Sequence, residues 1–117
     1  MIKGERLKKF MCEGRICMHK VAVFKESGKY RIEPGRLVVH PGARVVFVFL
    51  LGQAKPQLWL PPRLGKEVPA KPAVKGCKIV EIGDNTGVFP YEIFVPGPDG
   101  GDFAEGGSAG RIIVADP

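Results

Sequence analysis

Metal-binding and nucleophilic side chains are scarce in this chain and unevenly placed. Its 117 residues include three Cys, three Met and two His, and from Val88 to Pro117 none of these types occurs. No Gly-x-Ser-x-Gly elbow, phosphate loop or His-Glu-x-x-His helix motif is present. Catalysis needs a nucleophile with a base, paired carboxylates or a metal. His40 precedes Pro41 at a strand end, where a turn role is expected, and Glu81, Asp84 and Glu92 read as solvated carboxylates. The expectation is a protein that is not an enzyme. Long apolar runs are missing too: none approaches the ~18 residues that a membrane-crossing helix requires. The basic first ten residues are not followed by the apolar core of a secretory signal. A cytoplasmic location is expected, or a periplasmic or exported one if the sequence starts after a processing site. An odd number of Cys fits reduced thiols better than a disulfide framework.

Turn-forming residues are plentiful. Gly (16) and Pro (11) make up nearly a quarter of the chain, which breaks helices and punctuates strands. The longest apolar stretch, Val45-Val46-Phe47-Val48-Phe49-Leu50-Leu51, is β-branched and aromatic and lies between Pro41-Gly42 and Gly52. That pattern predicts a strand over 44–51 buried on both faces, at the centre of the core. Further strands are expected over 20–26, 30–33, 36–40, 77–82, 88–95 and 111–114, with a short pairing run at Leu58-Trp59-Leu60. Phe89, Tyr91, Ile93 and Val95 alternate onto one face, and Pro90 marks a local edge or bulge. Residues 61–75 hold four Pro and four Lys/Arg and read as a long, extended basic loop. Seven or eight strands with Gly/Pro turns give an all-β sandwich as the fold class. Residues 1–19 form a basic arm and residues 20–117 the sandwich domain.

Charge is segregated along the chain. Residues 1–75 carry sixteen Lys/Arg against five Asp/Glu (+11), and residues 76–117 carry two against seven (−5), for a net +6. A basic excess can attract nucleic acid, and Lys55, Trp59, Arg63, Lys66, Lys71 and Lys75 together resemble a single-strand-binding surface. The opposing expectation, which is preferred, puts Trp59 in the core as a plug and leaves the lysines to solvate the loop. A protein partner is the favoured ligand class. Leu58-Trp59-Leu60-Pro61-Pro62-Arg63 offers pre-extended backbone with Trp and Arg, both frequent interface anchors. Trp59, Arg63, Lys66 and Lys71 are the expected contact residues, and the acidic Gly-rich loop 96–110 is the second variable surface. Nothing in the sequence names the partner or fixes an oligomeric state.

Two thiols, two thioethers and an imidazole fall within Met11–His19. Soft sulfur ligands suit Cu(I), and Cys with His suits Zn(II). The Cys-x4-Cys spacing is wider than a zinc knuckle, and only Cys77 or His40 is left to complete a site. Cys12, Cys17, Met18 and His19 are therefore the ligand set of an alternative, metal-handling reading. The preferred expectation has Cys17 and Met18 packed beside the first strand, Cys12 as a free thiol, and no cofactor.

The chain from about residue 20 onward resembles the cupredoxins, the blue-copper Greek-key sandwiches. The resemblance is carried by Leu37-Val38-Val39-His40-Pro41-Gly42-Ala43-Arg44-Val45-Val46-Phe47, by Gly87-Val88-Phe89-Pro90-Tyr91-Glu92-Ile93 and by Gly110-Arg111-Ile112-Ile113-Val114. It implies a Greek-key sandwich and, in the family, a copper held by two His, one Cys and an axial Met. At the corresponding positions stand Gln57, Ile93, Pro96 and Ser108. The resemblance thus implies the fold without the copper centre, and with it a binding module in place of an electron carrier.

Overall fold

The computed structural model describes residues 19–52, 55–68, 76–104 and 110–116. They form two five-stranded sheets packed face to face. The first sheet, in spatial order, contains β2 (Lys29–Glu33), β1 (His19–Glu26), β4 (Arg44–Leu50), β7 (Cys77–Ile82) and β6 (Gly65–Val68). The second contains β3 (Arg36–Val39), β10 (Gly110–Val114), β8 (Gly87–Val95) and β5 (Gln57–Trp59), with β9 (Asp102–Phe103) also paired to β8. Two pairings are parallel, β1 with β4 and β3 with β10. The chain therefore crosses between sheets as a Greek key does. The expected all-β sandwich is the observed fold. The ten short strands among the described residues exceed the expected seven or eight, because β6 and β9 form within segments read as loops.

Local chemistry explains the corners. β1 and β2 meet at Ser27-Gly28, both at positive φ (51° and 80°), the geometry of the two-residue turns that match strand twist. Pro41 and Gly42 occupy the central positions of a turn closed by Ala43 N–H donating to His40 O at 3.1 Å, with Gly42 at φ 82°. Proline at the first central position and glycine at the second are what a type II turn requires. That turn aims β4 into the middle of the first sheet, between β1 and β7.

β4 is buried from Val45 to Phe49. Val45, Phe47 and Phe49 point into the main core with Val21, Val23, Val80 and Ile82 from their own sheet. Tyr91, Ile93, Val95, Ile112 and Val114 come from the other sheet, and the Phe47 and Tyr91 rings meet edge to face at 5.3 Å. Val46 and Val48 point the other way, where they cluster with Ile79. The strand is buried on both faces, as its unbroken apolar run predicts.

Pro90 lies where a sheet tolerates a missing donor. Arg111 N–H donates to Gly35 O on the β3 side at 2.9 Å, so Arg111 and its register partner Pro90 form a non-hydrogen-bonded pair. On its other flank β8 is paired by β5 only from Glu92 onward. The proline nitrogen therefore faces a local edge.

Candidate functional site

Strand alternation sorts β8 into two sets. Tyr91, Ile93 and Val95 are buried inward, which turns Val88, Pro90, Glu92 and Phe94 outward. β5 follows the same register: Leu58 sits opposite Ile93, and Gln57 and Trp59 sit opposite Phe94 and Glu92. On β9, Phe103 sits opposite Phe94. Three aromatic rings therefore gather on the outer face of the second sheet. Trp59 stacks on Phe94 (5.9 Å, 28°) and meets Phe103 edge-on (5.2 Å, 81°), and Phe94 and Phe103 are 5.0 Å apart. The indole Nε1–H donates to Gln57 Oε1 at 3.2 Å. Trp59 is held on two sides and tethered at its polar edge, yet 47% of its surface is exposed. The core-plug reading of Trp59 is thus corrected: Leu58 fills that role, because it and not Trp59 shares the inward register of Ile93.

The three described members of the expected contact set do not assemble. Arg63 reaches the turn before β8, donating to Asn85 Oδ1 at 3.4 Å while Asn85 Nδ2 donates to the Arg63 carbonyl at 3.0 Å. Lys66 belongs to β6 and sits opposite Glu81, on the outer face of the first sheet. Trp59 and Lys66 are on opposite sides of the sandwich. Lys71 lies outside the described residues. The segment read as one long basic loop is interrupted by β6, where Lys66, Glu67 and Val68 are paired to β7. A four-residue edge strand needs only hydrogen-bonding neighbours, and β7 supplies them.

The outer face of the second sheet carries residues that the sequence reading passed over. Val38 and Val88 are 55% and 60% exposed, and both align with Ile113 of β10. Arg36 and Arg111 are register partners on β3 and β10, both exposed. The available signal was the alternation itself: once Tyr91 and Ile93 face inward, an aromatic Phe94 faces water.

Of the alternative metal ligands, Cys12, Cys17 and Met18 lie outside the described residues, and His19 opens β1. Burial, and secondarily the nearby His40, holds the His19 imidazole below its ordinary value. His40 Nδ1–H donates to the Ala115 carbonyl at 2.8 Å. A carbonyl can only accept, so in the neutral ring Nε2 carries the lone pair. Cys77, the third thiol, lies beside the Val46–Val48–Ile79 cluster, and burial raises its pKa. Among the described residues no group of three or more His, Cys, Asp or Glu side chains converges as a metal site would.

The positions that the blue-copper resemblance assigns to ligands are filled by other chemistry. Ile93, at the thiolate position, is 1% exposed and packed in the main core. Gln57 accepts the Trp59 indole proton, Pro96 is exposed, and Ser108 lies outside the described residues. Ile93 and Pro96 side chains have no donor atoms for a metal. No protein-family model and no curated protein matches the chain. Among solved structures it is similar to a pseudoazurin from Sinorhizobium, with 21% identity and a TM-score of 0.48 over 86% of this chain and 75% of that one. No described helix is long and apolar enough to cross a membrane.

Proposed function

We propose that this chain is a non-catalytic, cupredoxin-like sandwich that works as a protein-interaction module without a type 1 copper centre. The observation that carries the reading is the exposed, fixed Trp59 in its cluster with Phe94 and Phe103. A large aromatic that is half in water and already ordered loses little rotamer entropy on docking, which is the character of an interface anchor. The donor-free side chains of Ile93 and Pro96 support the copper-free half of the reading. Two experiments test it. Adding Cu(II) to the reduced protein is expected to give no intense blue thiolate band; a tight blue complex would overturn the reading. Capture on immobilised protein, with quantification by mass spectrometry, is expected to recover a protein that Trp59→Ser releases and Arg63→Ala retains. A capture profile unchanged by Trp59→Ser would count against the anchor.

A second reading keeps the metal-handling alternative. It is favoured by the approach of His40 to His19 and by the His40 Nδ1–H bond to a carbonyl, the usual arrangement behind a metal-bound imidazole. Cys12, Cys17, Met18 and His19 would be the ligands for Cu(I) or Zn(II), with His40 left to complete the site. Titration of the reduced protein with either ion, beside a Cys12→Ser/Cys17→Ser variant, decides: stoichiometric binding lost in the variant supports this reading, and no binding removes it.

A further inference from the structure

We propose that the outer face of the second sheet is the interface of a two-fold dimer of this chain. The inference rests on the interaction-module reading and names the partner as a second copy. Of the four large hydrophobics that are exposed among the described residues (Val38, Leu50, Trp59 and Val88), three lie on this face. Their arrangement is ordered in rows across the strands. At one end Val38, Ile113 and Val88 are aligned. The next row holds Arg36 and Arg111 beside Pro90. Then come Glu92 and Trp59, and last Phe103 and Phe94.

This order is self-complementary. A two-fold axis crossing the strands between the second and third rows brings the arginine row of one copy over the Glu92–Trp59 row of the other. The same operation lays the valine–isoleucine row over Phe94 and Phe103. Apolar meets apolar, and Arg111 of one copy comes within one strand's width of Glu92 of the other, twice over, as an isologous interface demands. The charges are otherwise poorly accounted for. Like charges side by side on one sheet face are unfavourable, and among the described residues Arg36, Arg111 and Glu92 each lack an ion-pair partner. A second copy supplies one to Arg111 and to Glu92. The rows span about 20 Å along the strands and about 14 Å across them, a footprint below the roughly 800 Å² per partner of a standard interface. Each copy also carries +6, a repulsion that physiological salt screens beyond about 8 Å. Both facts make the expected dimer a weak, reversible one.

Sedimentation equilibrium of the whole chain, from about 1 μM to 1 mM, tests the proposal over the affinity range expected of a small interface. The mass is expected to rise with concentration from 12.7 kDa toward twice that. Emission of the single Trp is expected to shift to the blue over the same range. Val88→Lys, at an exposed position that leaves the fold intact, is expected to weaken association about tenfold or more. Glu92→Arg and Arg111→Glu are each expected to weaken it, and the double variant to recover most of the loss. A constant 12.7 kDa, association indifferent to Val88→Lys, or a double variant no better than the singles would overturn the proposal. A monomer that still captures a different protein through Trp59 would sink the dimer and leave the module reading standing.

Discussion

Gly110 faces Tyr91 across the β8–β10 ladder, and the space a side chain would take at Gly110 is occupied by the Tyr91 ring. Tyr91 is 2% exposed and packs edge to face with Phe47, so the ring has no free direction in which to yield. Gly110→Ala is expected to destabilise the fold by about 1–3 kcal/mol, the usual cost of overpacking a core. Urea unfolding of the two proteins measures this. The cost is expected to shrink when Tyr91 is replaced by Leu, a non-additivity that only direct contact produces.

Trp59 and Phe47 are both large aromatics in apolar runs, and their truncations are expected to differ. Phe47→Ala removes a ring with no solvent exposure and is expected to cost about 3–5 kcal/mol. Trp59→Ala removes two ring contacts at the surface and is expected to cost about 1–2 kcal/mol. Equal losses in denaturant melts would put Trp59 back in the core.

The outer side of β4 gives a third contrast. Val46 is fully buried although it points away from the main core. Val46→Thr places a hydroxyl there and is expected to cost about 1–3 kcal/mol. Val38→Thr, at 55% exposure, is expected to stay within about 0.5 kcal/mol of the parent. Thermal melts of both variants give the comparison.

His19 makes stability depend on pH. Its folded pKa lies below the ordinary 6.5 because burial, then His40, disfavours the charged ring. In the window between the two values the unfolded chain binds more protons, so the fold loses stability as pH falls from 6.5 through the folded pKa. Above that window the contribution is fully present. Denaturation midpoints from pH 8 to pH 5 are expected to fall less steeply for His19→Gln than for the parent. His40→Gln is expected to raise the His19 pKa in an NMR titration.

The fold was readable because its strongest signals are local. The apolar run at 45–51 could satisfy its backbone and both its faces only inside a sheet, and Pro41-Gly42 has one favoured turn. Alternation along 88–95 set the inward residues of β8 correctly. The strands that went unread, Gly65–Val68 and Asp102–Phe103, are short and polar. They exist because β7 and β8 present unpaired backbone to them, which is a property of tertiary neighbours. The candidate site was only partly legible for the same reason. Trp59 stood out by type, but its neighbours Phe94 and Phe103 come from other strands, and grouping it with Lys66 assumed that nearness in sequence means one surface. The two arginines at 36 and 111 are 75 residues apart, and only the parallel pairing of β3 with β10 makes them adjacent.

That parallel pairing also bears on how the protein is made. β10 is the strand between β3 and β8, so the second sheet lacks its middle member until residue 114 has left the ribosome. During synthesis β3 and β8 wait with open hydrogen-bonding flanks, one of them for more than seventy residues. The first sheet needs nothing beyond Ile82 and can assemble earlier. A nascent chain stalled before Gly110 is therefore expected to be a half-built sandwich, a natural client for chaperones, with the last strand acting as the latch.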